Sequence, residues 1–188
     1  MKILLAIAGM PGSGKSIVTE VARELGICVV SMGDAVRREV LRRGLTITLE
    51  TMLKVATDLR RERGPHAVAE LVVNDIERCP TNVVALDGVR SLEEVEYLRS
   101  RGYRVIIIAV HASPTTRFHR LKLRKRVGDP TTWNEFVERD LRELSWGLGN
   151  VIALADYMLV NECDLNEFKN LVRKTLREVL REHGVHTG

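Results

Sequence analysis

Short, unbroken apolar runs recur along the chain at residues 3–8, 28–30, 83–86, 105–110 and 157–160, built mostly from Val, Ile, Leu and Ala. None alternates with polar positions, so each is read as a strand buried on both faces, as parallel strands are when helices cover both sides of a sheet. Between the runs the apolar positions recur at helical spacing. Residues 16–25 follow the first run, residues 91–100 open with Ser91 and Glu94 in a capping-box arrangement, and residues 164–182 close the pattern. Strand and helix in alternation predict a doubly wound α/β domain, a parallel sheet between two helical layers.

Two stretches are longer than a crossover between parallel strands requires. Residues 34–80 read as helical and carry seven arginines between Arg37 and Arg63. Residues 114–149 read as a basic helix, a turn at Gly128, Asp129 and Pro130, and a second helix begun by Thr132 with Glu135 as its capping partner. With 188 residues, 45% of them hydrophobic, the chain suffices for a single core. The expected organisation is one domain over 1–188, with a core of about 1–33, 81–113 and 150–188 and two helical insertions over one edge of the sheet.

The chemistry begins between the first strand and the first helix. Gly9-Met10-Pro11-Gly12-Ser13-Gly14-Lys15-Ser16 matches the Walker A pattern, G-x-x-x-x-G-K-[ST], at every fixed position. Its glycines let backbone N–H groups wrap around phosphates, and the following helix contributes the positive end of its dipole. Lys15 is expected to reach the β- and γ-phosphates of ATP, and Ser16 to offer a hydroxyl to Mg²⁺. Thr19, one turn on, is counted with the nucleotide contacts. Ligands gather beyond the carboxyl ends of parallel strands, so Asp87, ending the run 83–86, is the expected acid on the Mg²⁺ side. Asp34, preceded by Gly33, is the second candidate; either aspartate also reads as an ordinary cap or turn residue.

Phosphoryl transfer needs positive charge around the migrating group. Arginines stand where it would be wanted: Arg37 after Gly33 and Asp34, Arg90 after Asp87 and Gly88, and Arg120, Arg124 and Arg139 in the second insertion. With these motifs the chain resembles the adenylate-kinase-like nucleoside monophosphate kinases along nearly its whole length. The resemblance implies the sheet order 2-3-1-4-5, with Gly33, Asp34, Arg37, Gly88 and Arg90 at an acceptor. It also implies residues 34–80 as the acceptor-binding insertion and 114–149 as a lid. Arg120 would lie against the adenine of ATP, and Arg124 and Arg139 would face the transferring phosphates. Met32 replaces the threonine that commonly precedes this glycine, and Arg90 follows Asp87 at three residues rather than four. The segment 155–161 looks instead like the end of dephospho-CoA kinases, and the whole chain is similar to an archaeal family of nucleotide-kinase-like proteins often labelled as related to them.

Composition narrows the alternatives. Lys and Arg number 29 against 25 Asp and Glu, giving a net charge of +4 and a pI near 9.1, with the two signs interleaved. Aromatic residues make up 4%, too few for the stacking platforms of a single-strand binder. Most helix arginines, Arg60 among them, read as solvated ion pairs. Trp133 and Trp146 are expected to pack the second insertion, and His66, His111 and His119 lack metal-ligand spacing. Cys28, Cys79 and Cys163, far apart and odd in number, read as reduced thiols in a cytoplasmic protein. The apolar start is too short to span a membrane. The expected activity is Mg²⁺-dependent transfer of the ATP γ-phosphoryl to a nucleotide-sized acceptor by a monomer or homodimer. If the acceptor were a hydroxyl, Asp34 would be its base. The competing reading is a regulatory ATPase that grips RNA or protein.

Overall fold

Side chains of a strand alternate between its faces, and here both faces are covered. In the computed structural model, which describes residues 1–126 and 128–184, the elements run β1 (Ile3–Ala8), α1 (Lys15–Glu24), β2 (Cys28–Ser31), α2 (Met32–Arg42), α3 (Leu49–Arg63), α4 (Ala67–Arg78) and β3 (Val83–Asp87). They continue as α5 (Leu92–Ser100), β4 (Arg104–His111), α6 (Pro114–Arg124), α7 (Trp133–Ser145), α8 (Leu148–Ala153), β5 (Tyr157–Val160) and α9 (Leu165–Glu182). The end of the expected core, 185–188, lies outside the described residues.

From β1, Leu4, Ala6 and Ala8 enter a core shared with α2 to α5 and α8, while Leu5 and Ile7 enter a second core shared with α1 and α9. The closing helix presents Phe168, Val172, Leu176 and Val179 to that second core, all fully or almost fully buried, at the spacing of a single face. All strand pairings are parallel and the order is β2-β3-β1-β4-β5, as the resemblance implied. Among the described residues no helix is long and apolar enough to cross a membrane.

The first long segment is helical, as expected, and divides into three helices. α2 breaks off at Gly44 and α3 at Gly64, both with positive φ. Thr132 and Glu135 form both halves of a capping box on α7. Ser91 caps α5 by accepting from Glu94 N at 3.2 Å, but the Glu94 side chain turns away to Arg90 N (2.7 Å) and Arg60 (3.0 Å).

One expectation is overturned. Cys28 and Cys79 are joined in a disulfide, and only Cys163 is a free thiol among the described residues. Sequence spacing hides the bond because 51 residues separate the pair, yet topology brings them together. Cys28 opens β2, Cys79 caps the end of α4 just before β3, and parallel neighbours begin at the same edge of the sheet. Closing so long a loop removes much denatured-chain entropy, so Cys79→Ser should lower the unfolding free energy by about 4 kcal/mol. Denaturant titration of both proteins checks this; equal midpoints would contradict it.

Candidate functional site

The loop from Gly9 to Gly14 leaves β1 at its carboxyl end and delivers Lys15 and Ser16 to the start of α1. Gly14 occupies the N-cap at φ 105°, a left-handed conformation that costs glycine little. At Gly12, φ 83°, a Cβ would stand 2.8 Å from the carbonyl of Arg117, so the close approach of α6 to the loop also demands glycine. Lys15 Nζ folds over the loop and donates to the carbonyls of Gly9 (2.6 Å) and Met10 (3.3 Å).

Two cavities open onto this loop, and another adjoins them through residues it shares with the smaller. The largest, about 510 Å³, collects Lys15, Ser16 and Asp87 with Arg120, Arg124 and Arg126. A second, about 400 Å³, lies between α2 and α3 on one side and α7 on the other, and includes Gly33, Arg37, Arg90, Arg139 and Trp146. The third, about 130 Å³, joins Lys15 and Gly88 to Arg90, Arg124, Arg139 and Glu143. Lys15, Ser16 and Asp87 thus share one space, and Lys15 meets Arg90, Arg124 and Arg139 in another.

Other expected residues stand differently. Thr19 is buried and donates its hydroxyl to Ser16 O at 2.9 Å within α1. Asp34 is exposed, paired with Arg37, and borders a groove beside the disulfide rather than the cavities holding Lys15. Arg124 forms a two-pronged pair with Asp129 (2.9 and 2.5 Å), and Arg139 joins it at 3.2 Å. Arg120 donates to Asn161 O at 3.0 Å, and its Nη1 is buried without a partner among the described residues. Arg60, expected as solvated surface, is instead nearly buried against Glu94, and Arg38, Arg42 and Arg43 are paired with acids. Trp133 packs with Phe118 and Phe136 and ties α6 to α7. Trp146 instead packs against the guanidinium groups of Arg60 (4.8 Å) and Arg90 (5.4 Å).

Several residues that build the site carry no local signal. Asn161, just past β5, donates to Ser13 O at 2.8 Å and braces the loop. Arg117, buried beneath it, donates to Pro11 O (3.2 Å) and Ala112 O (3.2 Å) and pairs with Asp140 at 2.9 and 2.6 Å. Glu143 accepts from Arg90 Nε at 2.8 Å. Asn161 alone had clues, its position beyond a strand's carboxyl end and its place closing the segment 155–161 that the resemblance singled out.

Burial dominates the electrostatics. It pushes Lys15 down to about 8, against the opposing pull of Asp87 and Glu143. It pushes Asp87 up from the usual carboxylate range, moderated by Lys15 and Arg90. Burial would also raise Asp129, but hydrogen bonds from Arg124 and Arg126 N and the charge of Arg124 outweigh it and hold that carboxyl low. Asp87 Oδ1 is buried and accepts no hydrogen bond among the described residues. An unpaired carboxylate oxygen that shares a cavity with the Ser16 hydroxyl fits a divalent cation. Among the described residues no cluster of three or more His, Cys, Asp or Glu could hold a metal unaided, so phosphate oxygens and water would complete the set.

A parallel sheet in this order, with a Walker A loop leading into α1, defines the P-loop kinase-like class of nucleotide-binding folds. A profile described as AAA domain matches residues 8–137, and UPF0200 proteins from Hyperthermus butylicus and Methanopyrus kandleri are 51% and 52% identical, covering 93% and 95% of this chain and 94% and 91% of their own. The chain belongs to the AAA domain family and to the family of the UPF0200 proteins. Among solved structures, TT1252 from Thermus thermophilus aligns with a TM-score of 0.65 at 19% identity, covering 94% of this chain and 97% of its own. Shikimate kinase from Bacteroides thetaiotaomicron gives 0.61 at 18%, covering 95% and 98%, and a gluconokinase from Sinorhizobium meliloti 1021 gives 0.55 at 16%, covering 96% and 94%. At these identities the likeness is one of fold.

Proposed function

We propose that this protein is a phosphotransferase that moves the γ-phosphoryl of Mg-ATP to a nucleotide-sized acceptor. The observation that carries the reading is the shared cavity of Lys15, Ser16 and Asp87, at the carboxyl edge of the sheet and rimmed by Arg120 and Arg124. Residues 34–80 are the acceptor-binding insertion and 114–149 the lid.

Backbone N–H groups of the loop and Lys15 bind the phosphates, while Arg120, whose Nη1 has no partner among the described residues, turns to the donor's base. Arg124 and Arg139 are held by Asp129 close to Lys15, where they offset charge during transfer. Ser16 and Asp87 would hold Mg²⁺, which when bound neutralises charge on the phosphate oxygens. Closing the lid helices over the site would exclude water and suppress hydrolysis. A phosphate acceptor is one form of this reaction; a hydroxyl acceptor, as in a dephospho-CoA kinase, is the other.

The test is ADP release from Mg-ATP by the protein alone, then with nucleoside monophosphates, deoxynucleoside monophosphates and dephospho-CoA, using Lys15→Ala as the blank. Strong stimulation by one acceptor, lost in the blank, is expected. A slow rate indifferent to every acceptor would contradict the reading.

The pKa of Lys15 adds a prediction. With the free ammonium titrating at about 8, a bound polyphosphate should favour its charged form. Nucleotide binding should therefore take up protons near pH 8, and affinity should fall as pH rises through that value. Calorimetry in two buffers of different ionisation enthalpy measures the uptake; equal heats at pH 8 would contradict it.

A further inference from the structure

The cavity between α3 and α7 has a charge balance that its neighbour lacks. Four arginines line it, Arg37, Arg90, Arg139 and Arg142, and so do four carboxylates, Asp129, Glu135, Glu138 and Glu143. The cavity over the loop sets Lys15, Arg120, Arg124 and Arg126 against Asp87 alone. A polyphosphate suits the second. In the first, three of the four arginines are already neutralised, Arg37 by Asp34, Arg90 by Glu143 and Arg139 by Asp129, so that Arg142 is the one without an acid partner among the described residues and the space offers a phosphate dianion less free positive charge than its neighbour.

Glu143 stands where these spaces meet. It borders both the α3–α7 cavity and the small one holding Lys15, is only 7% exposed, and acts electrostatically on Lys15. Arg90 engages its Oε2, while no hydrogen bond among the described residues engages Oε1. A carboxylate fixed between donor and acceptor repels an incoming phosphate and is placed to accept a proton from a neutral group.

We propose that the acceptor presents a hydroxyl, not a phosphate, and that Glu143 is the catalytic base that takes its proton. This rests on the phosphotransferase reading. The acceptor oxygen forms a bond to the γ-phosphorus, the bond from that phosphorus to the β–γ bridging oxygen breaks, and its electron pair leaves with ADP. The proton passes to Glu143 and then to solvent. The space, about 400 Å³ with Met52, Leu53 and Trp146 on its walls, fits an alcohol of nucleoside size.

The experiment incubates wild type with Mg-ATP and either nucleosides and dephospho-CoA or nucleoside monophosphates, and identifies the product by phosphorus NMR, which separates a new ester from a new anhydride. An ester is expected. Glu143→Gln, which keeps the size of the side chain and an oxygen for Arg90, should lower kcat roughly 10²–10⁴-fold and leave the KM for ATP within about twofold; unchanged ATP binding shows it folded. An anhydride product, undiminished kcat in Glu143→Gln, or loss of ester formation in Asp34→Asn but not in Glu143→Gln would each overturn the assignment while leaving a kinase. Transfer to no acceptor, with only inorganic phosphate released, would remove the phosphotransferase reading and this assignment together.

Discussion

Lys15→Ala should lower acceptor-dependent ADP formation at least roughly 10²–10³-fold, the loss seen when one aligned donor to a transition-state anion is removed. The same variant should be as stable as wild type or more so. Lys15 is held by the carbonyls of Gly9 and Met10, but burial lowers its pKa to about 8 from an ordinary 10.5, so charging it opposes folding. Below about pH 8 the cost is complete; between 8 and 10.5 the unfolded chain binds the extra proton, and wild-type stability should climb with pH in that window. The substitution removes both the cost and the slope. Thermal melts from pH 7 to 10 give the check, and a variant clearly less stable than wild type at pH 7 would show that Lys15 supports the fold rather than only the ligand.

Arg117→Met should cost about 3–5 kcal/mol of stability, because it leaves Asp140 without its partner in a poorly hydrated place. Arg117 makes two bonds to Asp140, caps the carbonyls of Pro11 and Ala112, and lies 4.8 Å over the ring of Phe136. It is therefore the joint between the phosphate loop, the end of β4 and the helices α6 and α7. The double variant Arg117→Met with Asp140→Leu should recover much of the loss, since no unpaired charge remains. Nucleotide affinity should stay reduced, because Pro11 O has still lost its donor. A single-variant loss under about 1 kcal/mol in urea titration would mean that water reaches Asp140 freely, as at a surface pair.

The parts of this architecture that depend on local chemistry are legible in the sequence. Parallel strands buried on both faces announce themselves as unbroken apolar runs, and the loop from Gly9 to Ser16 is a contiguous motif whose glycines answer to φ angles and close contacts that can be measured. What stays hidden depends on which distant residues meet. Arg60 looks like any basic residue on a helix until Glu94 and Trp146 bury it. Arg117 sits four residues after Ser113 in a basic stretch, and nothing there distinguishes it from Lys122 until α7 supplies Asp140. The pairing of Cys28 with Cys79 follows from the return of a crossover to the sheet edge, not from spacing. Asp34 shows the converse. Its position after β2 marks it as a candidate base, but its exposed side chain is taken by Arg37, while Glu143, in an acidic helix without a motif, reaches the junction of the cavities.

The most direct test of the account follows the label from γ-³²P-ATP and Mg²⁺ with wild type and Lys15→Ala, in the presence of the acceptor that most stimulates ADP release. Label in an organic phosphate, formed in step with ADP and absent with Lys15→Ala, is expected. Label recovered only as inorganic phosphate, at a slow rate that no small acceptor changes, would contradict phosphotransfer and leave an ATPase whose partner is a macromolecule.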